Sequence, residues 1–118
     1  GEAYNNRGNL FVKAGDFARA LADYTKAIEL NSKDAAVYYN RGVTYAKTGD
    51  FPQALADLTN AIKIDPANAE AYTSRALVHC ILKQYDQSWE DVHQAQRLGA
   101  KIPDGLLRML RGASASTR

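Results

Sequence analysis

Residues 4–23, YNNRGNLFVKAGDFARALAD, and residues 38–57, YYNRGVTYAKTGDFPQALAD, are two copies of one pattern. Tyr4, Asn6, Arg7 and Gly8 fall on Tyr38, Asn40, Arg41 and Gly42. Gly15-Asp16-Phe17 falls on Gly49-Asp50-Phe51, and Ala20-Leu21-Ala22-Asp23 on Ala54-Leu55-Ala56-Asp57. Further on, Ala27-Ile28 meets Ala61-Ile62. A more diverged third copy starts at Ala69 and keeps Tyr72, Arg75, Asp91 and Ala95, with Ala76 in the glycine slot and Ser88 in the alanine slot. A fixed period of this length marks an array in which every repeat is one small supersecondary unit. The units are 1–34, 35–68 and 69–102, and residues 103–118 are left over.

Each unit reads as two antiparallel helices. Ala3, Tyr4, Arg7, Gly8, Leu10 and Phe11 recur at helical spacing. Gly15 can take the left-handed conformation that ends a helix, and Asp16 follows as the N-cap of the next. Gly49-Asp50 repeats this chemistry, with Pro52 tolerated in the first helical turn. Asp34 and Asn68 are the corresponding caps between units, and Pro66 helps to stop the helix before it. The third unit has Lys83-Gln84 in place of Gly-Asp, so its turn is expected to be less well specified.

Small residues at Gly8, Ala20 and Ala27, with their equivalents, let helices approach closely, while Tyr4, Phe11, Leu21 and Tyr24 fill the space around them. One unit cannot bury both helix faces alone, so the expectation is an all-α, right-handed α-solenoid of stacked helix-turn-helix repeats. Trp89 takes the slot of Leu21 and Leu55 and reads as core. Arg7, Arg41 and Arg75 recur with the period, as do Asp23, Asp57 and Asp91. A charge repeated in every unit points to structure, and each arginine is expected to pair with one of these aspartates.

Pro103-Asp104-Gly105 opens a last amphipathic stretch over 103–112, with Arg108 and Arg111 near its end. It reads as a capping helix over the final open face of the array. Residues 113–118 are Ser/Ala-rich and read as a disordered tail. The chain begins at Gly1 without a methionine, with helical pattern almost at once, which reads as a piece of a longer protein.

The 118 residues suit one domain. The net charge of +2 hides an asymmetry. Residues 1–96 hold ten Lys/Arg against twelve Asp/Glu, a net of −2, whereas residues 97–118 carry a net of +4. No apolar run is long enough to span a bilayer, so no membrane role is expected. The single cysteine, Cys80, suits a reducing compartment such as the cytoplasm and excludes an internal disulfide. His79 occupies the aromatic slot of Phe11 and Tyr45, so packing is its expected role. With no HExxH, phosphate loop or paired-cysteine motif, neither catalysis, cofactor, metal nor small-molecule substrate is expected.

Tyr38, Gly42, Tyr45, Ala54, Leu58, Ala61 and Pro66 follow the pattern of the tetratricopeptide repeat family, which residues 1–102 resemble. The resemblance implies a protein–protein interaction scaffold whose concave groove is lined by first helices. Carried over by position, the groove residues are Asn5, Asn6, Asn9, Lys13, Tyr39, Asn40, Val43, Lys47, Glu70, Thr73, Ser74 and Leu77. An asparagine offers both a donor and an acceptor, so it can pair with the main chain of an extended peptide. Asn6 and Asn40, one repeat apart, are expected to form two rungs of such a ladder. A subfamily clamps the C-terminal carboxylate of chaperone tails at positions that here hold Asn5, Asn9, Asn40, Glu70 and Ser74. Only the two amides Asn9 and Asn40 match; the three cations are missing, so no chaperone-tail clamp is expected. The alternative is a structural module that self-associates through its open ends or convex face, giving a homo-oligomer. Nucleic acid is disfavoured as a partner, since the groove offers only Lys13 and Lys47 as cations and the basic tail lacks interleaved aromatics.

Overall fold

Asp16, Asp34 and Asn68 each begin a helix by turning a side-chain oxygen back onto an exposed backbone N–H. The acceptors meet Arg19 N at 3.2 Å, Ala36 N at 3.1 Å and Ala71 N at 3.2 Å. In the computed structural model, which describes residues 2–116 and the side chains of residues 2–113, these caps help to set a succession of seven helices. They are α1 (Glu2–Lys13), α2 (Phe17–Leu30), α3 (Ala35–Lys47), α4 (Phe51–Ile64), α5 (Ala69–Ile81), α6 (Tyr85–Arg97) and α7 (Asp104–Ser116). The chain divides into two compact units, Gly1–Pro66 and Ala67–Arg118.

In the first unit α1 pairs with α2, α2 with α3, and α3 with α4. Ala20, Tyr24 and Ala27 of α2 are buried with Val37 of α3, and Tyr4, Phe11, Val12 and Ile28 pack around them. Gly8 makes the α1–α2 contact possible: a Cβ there would lie 2.7 Å from the Tyr24 ring. At Gly42 the corresponding neighbour is Leu58, at 3.0 Å. Asp50 sits at the N-cap of α4 as expected, but its carboxylate makes no cap hydrogen bond. Pro52 in the first turn has already removed one of the N–H groups that a cap would satisfy.

In the second unit α5 pairs with α6, and α7 packs on both. Ile102, Leu106 and Leu110 close over Ala76, Cys80, Val92 and Ala95, with Trp89 and Tyr72 at the margin. Trp89 is thus a core-packing residue, and it also stacks on His93 with ring centroids 5.7 Å apart. Burial raises the Cys80 thiol pKa, which keeps the thiol protonated and unreactive.

Two expectations need correction here. The last helix runs to Ser116, beyond the end expected at 112, so residues 113–116 are helical and Arg108 and Arg111 lie mid-helix. Burial of Leu106 and Leu110 anchors that helix, and Ala and Ser can continue it at little expense. Thr117 and Arg118 lie outside the described residues. The turn at Lys83-Gln84 is also well formed. Lys83 takes φ of 62°, the left-handed conformation that Gly15 and Gly49 adopt at 80° and 83°. The same paired hydrogen bonds close all three turns: Asp16 N to Phe11 O, Asp50 N to Tyr45 O, and Gln84 N to His79 O, at 2.8–2.9 Å. Here the hydrogen bonds impose on lysine a backbone that glycine adopts without strain.

Candidate functional site

The periodic charges are internal struts, as their recurrence predicts. Each arginine grips the aspartate of its own helix pair through two hydrogen bonds: Arg7 on Asp23 at 2.8 Å, Arg41 on Asp57 at 2.8 Å, and Arg75 on Asp91 at 2.7–2.8 Å. Parallel bonds of this kind fix relative orientation as well as adding attraction. Aromatic residues one turn away flank the guanidinium: Tyr38 and Tyr45 lie 6.0 and 5.8 Å from Arg41, and Tyr4 and Phe11 lie 5.6 and 5.9 Å from Arg7. The Arg7 hydrogen bonds hold the Asp23 carboxyl below the usual carboxylate range. In the third pair His79 replaces the second aromatic, with Nε2 3.8 Å from Asp91 and Nδ1 2.7 Å from the Gln84 amide oxygen. The guanidinium groups thus tie the two helices of each pair together, with the Arg7 side chain 60% exposed and those of Arg41 and Arg75 about 20% exposed.

What remains on the first-helix face of the first unit is different in kind. A cavity of about 350 Å³ opens between α1 and α3, lined by Asn9, Val12, Lys13, Tyr24, Tyr39, Asn40, Val43 and Thr44. Its two amides are held in place. The buried Tyr24 crosses from α2 past Gly8, and its hydroxyl donates to the Asn9 side-chain oxygen. Burial raises the Tyr24 pKa, so the hydroxyl stays protonated and serves as a donor. With its oxygen so engaged, Asn9 is left its NH2 group for a ligand carbonyl. Across the cavity Asn40 donates through Nδ2 to the Asn5 oxygen at 3.0 Å, which keeps its own oxygen as an acceptor. Thr44 donates to the Asn40 backbone carbonyl at 2.8 Å. Both amides belong to the lining of one cavity, beside Val12, Tyr39 and Val43.

Of the groove residues expected from the sequence, Asn9, Lys13, Tyr39, Asn40 and Val43 line this cavity, and Asn5 supports Asn40. Asn6 is exposed on α1 and outside the lining, and Lys47 is exposed one turn beyond Val43. Glu70, Thr73, Ser74 and Leu77 lie on α5 in the second unit. There Glu70 is exposed, the Thr73 hydroxyl is turned back to the Ala69 carbonyl, and Leu77 is 42% exposed. Sequence reading missed the part played by Tyr24 and Thr44. Its one available signal was that Tyr24 occupies a slot filled by Leu58 and Val92, where only tyrosine carries a hydroxyl.

Among the described residues, no three or more His, Cys, Asp or Glu are grouped to hold a metal ion, and no helix is long and apolar enough to cross a membrane.

Three family models match the chain in succession: a TPR repeat over residues 8–49, and tetratricopeptide repeats over 35–68 and 58–90. The chain belongs to the tetratricopeptide repeat family. Its α-solenoid class follows from solved tetratricopeptide domains. The Arabidopsis OM64 domain superposes with a TM-score of 0.86 at 28% identity, covering 95% of this chain and 92% of that one. The yeast Sti1 TPR2B domain, solved as a complex with pHsp70, gives 0.85 at 28% identity, covering 98% and 96%. The second domain of human RPAP3, in complex with the HSP70 peptide SGPTIEEVD, gives 0.83 at 25% identity, covering 94% and 92%. None of the curated proteins matches this tetratricopeptide chain.

Proposed function

We propose that this tetratricopeptide chain is a non-catalytic protein-interaction module that holds an extended peptide segment of a partner in the cavity between α1 and α3. The observation that carries this reading is that Asn9 and Asn40, each held by a hydrogen bond, line one cavity, where the Asn9 NH2 group and the Asn40 oxygen are proposed to serve a ligand. An extended main chain offers the complementary carbonyl and N–H at every residue, whatever its sequence. The apolar surface beside them suits an aliphatic side chain of the same segment. Similar domains from yeast and human were solved with peptides, which supports the class of ligand. Self-association gains no support from those relatives.

The ligand differs from a chaperone tail. Among the five clamp positions the amides Asn9 and Asn40 are present, but Asn5, Glu70 and Ser74 stand where cations would grip a terminal carboxylate. Each exposed hydrogen bond contributes only about 1 kcal/mol, so affinity must come from several contacts along the segment.

The test is selection of binding peptides from a displayed random library, followed by affinity measurement with an Asn9→Ala, Asn40→Ala double variant. Loss of about tenfold or more, two hydrogen bonds' worth, supports the reading. An unchanged dissociation constant would contradict it.

A further inference from the structure

We infer that the outer side of α1 docks a helix of a partner protein, and that Arg7 reads a threonine or serine hydroxyl on that helix. The first unit contains its own template for this contact. α1 and α3 are copies of one helix, but among the described residues α3 packs against two second helices, α2 and α4, and α1 against α2 alone. Beyond its two bonds to Asp57, Arg41 donates through Nη1 to the Thr25 hydroxyl of α2 at 3.2 Å. Arg7 makes the same two bonds to Asp23, and among the described residues its Nη1 finds no acceptor. The Arg41 side chain is 18% exposed and that of Arg7 60%. One turn to either side of Arg41, Val37 and Thr44 are buried; their counterparts Ala3 and Leu10 are exposed, Leu10 at 63%. The outer side of α1 thus carries one half of an interface that α2 and α3 complete.

The helix that covers α3 defines what fits on α1. Thr25 meets Arg41, and Ile28, three residues on and so on the same face, packs into the cluster that holds Val37. The segment Thr25-Lys26-Ala27-Ile28 recurs as Thr59-Asn60-Ala61-Ile62, and in both copies an arginine follows 16 residues after the threonine, Arg41 and Arg75. The partner helix therefore carries Thr-x-x-Ile or a close equivalent. Its acceptor is a neutral hydroxyl, because Asp23 already balances the Arg7 charge and a second carboxylate there would be repelled. Tyr24 bonds to Thr44 beside the α3 contact; Leu10 replaces that threonine on α1, so the residue before the partner's hydroxyl is apolar, as Leu58 is before Thr59. Asn9 lies two residues beyond Arg7, about 200° around the helix, so this surface is separate from the peptide cavity.

The probe is an acetylated, amidated and helix-stapled peptide of residues 50–65, which presents Leu58, Thr59 and Ile62. NMR titration of the whole chain gives its dissociation constant and its footprint, expected on Ala3, Arg7 and Leu10. A Thr59→Val peptide, equal in shape, should bind about fivefold more weakly, and Leu10→Asp in the chain should weaken binding at least tenfold without lowering the melting temperature. The preference for threonine should vanish in Arg7→Lys, whose single ammonium stays with Asp23. Binding to Asn9→Ala, Asn40→Ala should match the wild type, which separates this surface from the groove. Equal affinity of the two peptides, a threonine preference that survives Arg7→Lys, a footprint on Asn9 and Asn40, indifference to Leu10→Asp, or no binding at millimolar peptide overturns the inference. Self-association in sedimentation that Leu10→Asp abolishes would make the occupant a second copy, and it too overturns the assignment to a partner.

Discussion

The Tyr24 hydroxyl donates a hydrogen bond to the side-chain oxygen of Asn9, so a core residue of α2 orients a cavity residue of α1. Replacing Tyr24 by Phe keeps the ring and removes the hydroxyl, with its bond to Asn9 and its contact with the Thr44 side chain. The expected cost in stability is about 1 kcal/mol. Asn9 is then free to turn, and affinity for a selected peptide should fall about threefold to fivefold, less than in Asn9→Ala. Urea denaturation and a binding titration check the two parts separately, and unchanged affinity would show that Asn9 needs no such support.

The close approach that lets Tyr24 reach Asn9 depends on Gly8. Alanine there places its Cβ 2.7 Å from one ring carbon of Tyr24 and 2.9 Å from another. Overpacking of this kind costs roughly 1–3 kcal/mol, of which alanine's better helix propensity returns about 1 kcal/mol. Gly8→Ala should therefore destabilise by about 1 kcal/mol in urea denaturation. In a Tyr24→Leu background the penalty should shrink or change sign, since the ring is gone; a double-mutant cycle showing strict additivity would contradict this.

Lys83 carries a left-handed backbone that its side chain disfavours. That conformation costs an ordinary residue about 1–2 kcal/mol, and glycine returns part of the gain through its greater freedom when unfolded. Lys83→Gly should raise stability by about 0.5–1 kcal/mol, read as a higher denaturation midpoint with an unchanged slope. A lower midpoint would mean that the turn is not the one described.

The Arg7–Asp23 pair gives a pH dependence of known sign. Because Arg7 depresses the carboxyl in the folded chain, the unfolded state takes up the proton first as pH falls. The stabilisation is complete above the unfolded carboxyl's value of about 3.9 and is lost as pH drops through the lower folded value. Asp23→Asn should be less stable than wild type at pH 7, and the gap should close as pH falls below about 4. Thermal melts of both proteins across that range check it, and a gap that widens on acidification would contradict it.

The parts of this molecule that repeat were legible in its sequence, because a residue kept at one place in every unit must serve what every unit shares. Recurrence alone implies that Arg41 meets one of the three periodic aspartates, and the structure joins it to Asp57 at 2.8 Å. Features carried by one unit only were harder to see. Nothing in the composition of Lys83-Gln84 signals a left-handed turn; the hydrogen bonds of α5 impose it. The length of α7 was hidden because its anchoring comes from Leu106 and Leu110 meeting α5 and α6, a tertiary contact. In the candidate site, strict periodicity pairs Asn6 with Asn40, but Asn6 lies outside the lining of the cavity that contains Asn40. Asn9 is the residue facing the cavity with Asn40, and the tyrosine hydroxyl that holds it has no counterpart in the other units.

The most direct test of the peptide groove is NMR chemical-shift mapping of the wild-type chain with a library-selected peptide. The account predicts that the largest backbone and side-chain amide shifts fall on Asn9, Lys13, Tyr39, Asn40 and Val43, with α2 and α4 outer faces quiet. Shifts concentrated on the exposed residues of α2 and α4, with the side-chain amides of Asn9 and Asn40 unmoved, would contradict it.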